Sequence, residues 1–186
     1  MYKYDNLLKI TNKFPYQITN IKIQYFELLQ QLTNAPLLND DEFINKINEI
    51  SKIGFIIVCY IDSSLEYPKI KLIGTGTIFF EPKMIHGGKS VGHIEDIVVD
   101  KNYRKEGIGK KIIRILIELN DPYKVILDCN DKLINFYQSC GFKKCGNQMA
   151  IYKIETVNGE TVNGETEQTL DNKNYIQQNI DVFNHT

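Results

Sequence analysis

The chain has 186 residues, 42% hydrophobic and 11% aromatic, which fits one ordinary globular domain with one core. Lys and Arg number 22 against 23 Asp and Glu, a formal net charge of −1, and this argues against a dedicated nucleic-acid binder or a polybasic membrane-surface protein. Four cysteines without a CxxC spacing and three histidines disfavour a structural zinc site and point to free thiols in a reducing, cytoplasmic compartment.

The opening stretch MYKYDNLLKITNKF lacks the continuous apolar run of a signal peptide. No segment approaches the ~20 apolar residues of a membrane span. Leu28, Leu29 and Leu32 suggest a short helix over 26–32. Asn39 with Glu42 three residues on is a capping-box pattern, and Phe43, Ile47 and Ile50 then recur at helical spacing, with Gly54 as the stop. FIIVCYI, 55–61, is β-branched and aromatic and predicts a strand. A turn at Asp62, Ser63 and Ser64 leads to a second strand over 69–80, and a third is expected over 90–99. The loop DKNYRKEG opens a helix over 108–119 with Ile108, Ile112, Ile115, Leu116 and Leu119 in one stripe. Asp121-Pro122 ends it. A strand over 123–129, a helix over 131–139 and a closing strand over 142–154 follow. Antiparallel hairpins and then a β-α-β unit predict an α/β (α+β) chain, a mixed sheet with helices packed on it.

Residues 155–186 differ from the rest. They hold six acids and one Lys, repeat ETVNG in tandem, and show no helical or strand period. Such a segment cannot bury enough apolar surface to offset its ordering entropy, so an acidic, disordered tail is expected. A docking helix through Tyr175, Ile176, Ile180 and Phe183 is the alternative. The tail carries −5 and residues 1–154 carry +4, so the near-zero total hides a mildly basic body.

Three clusters carry chemistry. Arg104-Lys105-Glu106-Gly107-Ile108-Gly109-Lys110 joins a strand to an amphipathic helix. Its glycines let backbone approach a ligand closely, and N–H groups at a helix start favour phosphate oxygens. It is neither a Walker A loop nor GxGxxG. In GHIEDIVV, Glu95 and Asp96 interrupt an apolar strand. Adjacent strand residues point to opposite faces, so both can serve one cleft only across a bulge. Asp128 closes a strand at the end where open sheets place ligands, and Tyr137 lies on the next helix.

Together, RxxGxGK after a strand and NFYQSCGF near the end resemble the GNAT N-acetyltransferases. GHIEDIVVD and LDC sharpen the resemblance to its glucosamine 6-phosphate N-acetyltransferases, over roughly residues 32–152. The resemblance implies a mixed, mostly antiparallel sheet splayed between strands 4 and 5, with helices on both faces and acetyl-CoA in the split. It implies that Arg104, Lys105, Glu106, Gly107, Ile108, Gly109 and Lys110 cradle the pyrophosphate. Backbone groups of Ile97, Val98 and Val99 would hold pantetheine and the acetyl group, across a bulge in that strand. Thr33, Lys83, Met84, Ile85, His86, Glu95, Asp96, Ile97, Asp128, Cys129 and Tyr152 would line the sugar-phosphate site. The second substrate would be glucosamine 6-phosphate, on the way to UDP-N-acetylglucosamine, and no metal is implied. The implied assembly is a homodimer with shared substrate sites. Domain boundaries follow as 1–154 for the acetyltransferase and 155–186 for the tail.

The implied chemistry is direct transfer without an acyl-enzyme. Asp128 and Glu95 would orient and deprotonate the amine, and Tyr137 would contact the cofactor and protonate the leaving thiolate. Two positions depart from the family pattern. Leu133 stands where an Asn is common, and Tyr152 where some members place an Arg toward the substrate phosphate; Lys83 and Lys153 are candidate replacements. The rival readings are a GNAT enzyme acting on a protein N-terminus or polyamine, and a non-catalytic acyl-CoA sensor.

Overall fold

The computed structural model describes residues 1–62, 69–147 and 149, and the backbone of 155–157 and 160–162. The chain divides into two compact units, Met1–Lys144 and Cys145–Thr186.

The first unit is a five-stranded sheet in the order β1-β2-β3-β4-β5. β1 is Lys3–Asn6, β2 Gly54–Asp62, β3 Ile70–Glu81, β4 Val91–Val99 and β5 Lys124–Ile126. The first four pair antiparallel and β5 joins β4 in parallel. Helices α1 (Leu7–Lys13), α2 (Ile18–Leu29) and α3 (Asp40–Ser51) precede β2, α4 (Ile108–Ile117) follows β4, and α5 (Ile134–Gln138) follows β5.

Strand alternation sorts the core into two layers. Ile56, Val58 and Tyr60 of β2 join Leu7, Ile21, Phe26, Phe43 and Ile47 from α1–α3. Ile57 and Cys59 join Ile108, Ile112, Ile113 and Leu116 from α4. Each fully buried Val, Leu, Ile or Phe among them contributes about 1.5–3 kcal/mol. α4 lies close on the sheet because β3 has no side chain at Gly76, where an added Cβ would come 2.3 Å from Cδ1 of Ile97 and 2.8 Å from Cγ2 of Ile112. α3 starts as its sequence predicts: the Asn39 side chain accepts from the Glu42 N–H at 2.9 Å, and the Glu42 carboxylate accepts from the Asn39 N–H at 2.9 Å. Lys22 of α2, buried, reaches the Asp40 carboxylate at 2.6 Å and ties α2 to the α3 N-terminus.

Several elements differ from expectation. The helix expected over 26–32 is the end of a longer α2, and β1 and α1 fall where no element was expected. α3 stops at Ser51, and Gly54 opens β2 rather than closing the helix. β5 is three residues long where seven were expected, because the pairing with β4 runs only through Val91↔Lys124, Gly92↔Val125 and His93↔Ile126. The chain then leaves β4, and this divergence is the predicted splay. Helix 131–139 is a 3-10 turn, Asp131–Leu133, followed by α5. Residues 142–147 are not strand, and 150–154 lie outside the described residues.

In the second unit the repeat pairs with itself. β6 (Glu155–Val157) and β7 (Glu160–Val162) form an antiparallel hairpin with Glu155↔Val162, Thr156↔Thr161 and Val157↔Glu160. Residues 163–186, including the alternative docking helix, lie outside the described residues. Among the described residues, no helix is long and apolar enough to cross a membrane.

Candidate active site

The site is organised by the irregular middle of β4. Thr75 pairs with Val98 and Thr77 with Glu95, so Asp96 and Ile97 together oppose Gly76. This is a β-bulge, and Asp96 adopts a left-handed φ of 54° within it. The bulge is the condition under which Glu95 and Asp96 can serve one side of the strand. Both carboxyls lie open to solvent, yet desolvation by surrounding protein raises their pKa values. Glu95 is raised further by the charges of Asp96 and Asp128.

Across the splay stand Asp128 and Cys129, exposed, in the extended segment that follows β5. Tyr137 is buried on α5, with its ring edge-on to Phe136 at 5.0 Å and to Phe142 at 6.1 Å. α5 is closed by a Schellman arrangement, the Phe142 N–H donating to Tyr137 O at 3.1 Å and the Gly141 N–H to Gln138 O at 2.9 Å. Burial, and after it the fields of Cys129, Cys140 and Glu95, push the Tyr137 pKa up to about 12. The phenol therefore stays protonated at neutral pH, as a proton donor must. Glu95, Asp128, Cys129 and Tyr137 thus share one electrostatic neighbourhood.

At the far end of β4 the chain enters the glycine loop. The Arg104 Nε donates to the Val99 carbonyl at 3.1 Å, folding the guanidinium back over the strand end. Lys105 and Gly107 have φ of 67° and 80°. Gly107 is the α4 N-cap and uses the left-handed region that a side chain would strain. The first helical bond runs from the Lys111 N–H to Gly107 O at 3.0 Å. The N–H groups of Ile108, Gly109 and Lys110 precede it and point out of the helix end, where the dipole is positive.

Residues not singled out in the sequence hold this loop. The Gln31 side chain donates to the Asp100 carboxylate at 3.2 Å and accepts from the Lys101 N–H at 3.0 Å. The Tyr2 hydroxyl donates to Glu106. These partners lie 69, 70 and 104 residues apart, and no local pattern signals them.

The other expected contacts are distributed as follows. Thr33 is exposed just past α2, with its N–H on Leu29 O at 3.0 Å. Lys83 pairs with Glu81 at 2.5 Å, and the His93 Nε2 donates to the other Glu81 oxygen at 3.0 Å. Hydrogen bonds from Lys83 first and then from His93 hold the Glu81 carboxyl below its usual range. Met84 and Ile85 are exposed, and His86 stacks on Tyr123 at 4.2 Å. Leu133 is exposed in the 3-10 turn before α5. Tyr152 and Lys153 lie outside the described residues. Among the described residues, no group of three or more His, Cys, Asp or Glu is arranged to hold a metal ion.

The acetyltransferase (GNAT) family model matches residues 23–142. A probable glucosamine 6-phosphate N-acetyltransferase 2 from Oryza sativa subsp. japonica is 38% identical over 131 residues, 69% of this chain and 79% of its own. Glucosamine 6-phosphate N-acetyltransferase 1 from Dictyostelium discoideum is 38% identical over 143 residues, 74% of this chain and 88% of its own. The crystal structure of the Arabidopsis thaliana glucosamine-6-phosphate N-acetyltransferase superposes with a TM-score of 0.67 at 31% identity, covering 82% of this chain and 98% of that one.

Proposed function

The chain belongs to the acetyltransferase (GNAT) family, and from that premise we propose that it transfers the acetyl group of acetyl-CoA to the 2-amino group of D-glucosamine 6-phosphate. The products are N-acetylglucosamine 6-phosphate and CoA, on the route to UDP-N-acetylglucosamine. The observation that carries this reading is the neighbourhood of Glu95, Asp128 and Tyr137 at the splay that opens after His93 and Ile126.

The co-substrate lies along β4, with its pyrophosphate at the 104–110 loop and its thioester beside the bulge. The amine reaches the site largely as ammonium. Asp128 orients it, and Glu95, whose raised pKa suits a general base, takes its proton directly or through water. The amine nitrogen attacks the thioester carbonyl, and a backbone N–H near Val98 stabilises the developing oxyanion. The C–N bond forms, the nitrogen releases its second proton to solvent as the amide forms, the C–S bond breaks, and Tyr137 passes its phenolic proton to the departing sulfur, regaining one from solvent. Holding two substrates in line supplies much of the rate. Cys129 is not needed as a nucleophile. Lys83, the lysine within the acceptor segment 83–86 and anchored on Glu81, is the candidate for the sugar phosphate.

We extend the proposal to a homodimer that shares its acceptor sites. Met84 and Ile85, 100% and 60% exposed within the acceptor segment, support it, since apolar side chains this open suit coverage by a second copy. The four free thiols suit the cytoplasm. Thiol release from acetyl-CoA in the presence of glucosamine 6-phosphate, unphosphorylated glucosamine or a peptide tests the substrate. A preference for the sugar phosphate is expected, and equal rates with all three would defeat it.

A further inference from the structure

Glu106 is the one acid in the 104–110 loop. A carboxylate there opposes the binding of a diphosphate, because like charges at close range repel even across solvent. The structure shows where that carboxylate goes. The Tyr2 hydroxyl donates to its Oε2, and this bond is the leading cause that raises the Tyr2 pKa to about 12, so the phenol remains the donor throughout the physiological range.

Tyr2 is itself fixed from two directions. It directly precedes β1, which pairs with β2 from Lys3↔Tyr60 onward. Its ring stands edge-on to Tyr103 at 6.4 Å and 84°. Tyr103 in turn accepts from the Lys71 ammonium at 3.0 Å and lies 5.0 Å beneath it. The outermost strand of the sheet therefore reaches the loop at its only negative side chain.

We propose that Tyr2 is a positioning residue for acetyl-CoA: it holds the Glu106 carboxylate aside and sets the loop in the shape that receives the pyrophosphate. This rests on the reading that the loop binds the pyrophosphate.

The test compares the full chain with Tyr2→Phe, Glu106→Gln and the double variant. It measures kcat, both KM values and the Kd of acetyl-CoA by calorimetry. Tyr2→Phe is expected to raise KM and Kd for acetyl-CoA about fivefold, the size of one exposed hydrogen bond, with kcat and the sugar KM within about twofold. Glu106→Gln keeps an acceptor for Tyr2 while removing the charge that opposes the diphosphate, so acetyl-CoA affinity is expected to rise. In that background Tyr2→Phe should cost less than about twofold. Unchanged acetyl-CoA constants in Tyr2→Phe would overturn the proposal, as would an equal loss in both backgrounds. Should Tyr2→Phe fail to fold, a fall in acetyl-CoA affinity with Glu106→Gln alone does the same. Gly107→Ala and Lys110→Ala separate the underlying reading. If neither weakens acetyl-CoA binding, the loop assignment fails; if both do while Tyr2→Phe does not, only the role of Tyr2 fails.

Discussion

Gly76 and Ile112 leave no room between them for a methyl group: a Cβ on Gly76 would sit 2.8 Å from Cγ2 of Ile112 and 2.3 Å from Cδ1 of Ile97. Both neighbours are apolar and packed, and Ile97 belongs to the bulge. Gly76→Ala is therefore expected to destabilise the protein by about 1–3 kcal/mol, the range for overpacking. It should also disturb the bulge in β4. Urea denaturation measures the first effect; a variant as stable as the parent would show that α4 can shift freely.

Tyr137→Phe removes one oxygen from a buried ring that is otherwise held by Phe136 and Phe142. We expect kcat to fall about 10²-fold, the lower end of general acid–base contributions, with acetyl-CoA Kd within about twofold. Steady-state kinetics paired with calorimetry decides it. Unchanged turnover would remove the phenol as proton donor.

Asp128→Asn keeps the shape of the side chain and removes its charge. Activity is expected to drop at least about tenfold while CoA binding persists, because positioning and proton removal are lost without touching the co-substrate loop. Loss of CoA binding as well would move Asp128 out of the acceptor site.

The capping box at Asn39, the strand FIIVCYI, the glycine loop and the need for a bulge at Glu95-Asp96 were all readable locally, because each rests on residues within a few positions of one another. β1 was not. Its four residues, Lys-Tyr-Asp-Asn, carry two charges, and the strand exists because β2 pairs with it. The length of β5 was also out of reach. Lys124, Val125 and Ile126 pair with β4 while Leu127 and Asp128 do not, and only the tertiary splay draws that line. The partners Tyr2 and Gln31 of the loop are set by the same long-range geometry.

The carboxylates at the bulge give a pH prediction with a definite sign. Desolvation, then Asp96 and Asp128, raise the Glu95 pKa in the folded chain. A raised carboxyl pKa means that the native state holds its proton more tightly than the unfolded state, so this group favours folding in acid, and the contribution is lost as pH rises through the folded pKa. Glu95→Gln should accordingly raise Tm near pH 7, with the gain shrinking below the ordinary glutamate pKa, while activity falls. Asp96→Asn removes one repelling charge and should move the acid limb of kcat/KM to lower pH. A limb that stays in place, in a variant that remains active, would remove Glu95 as the titrating base.

The parallel pairing of β4 ends at His93, and the strand runs on to Val99. Among the described residues the sheet thus carries an unfinished edge in its interior rather than at its rim, and such edges invite pairing with foreign chain. A ligand lying along this edge would take the place of a neighbouring strand. Binding then protects the fold as well as supplying a reactant, by about 2.7 kcal/mol when the ligand stands at a hundred times its Kd. The cell's supply of acetyl-CoA would in this way govern how long the protein survives as well as how fast it works.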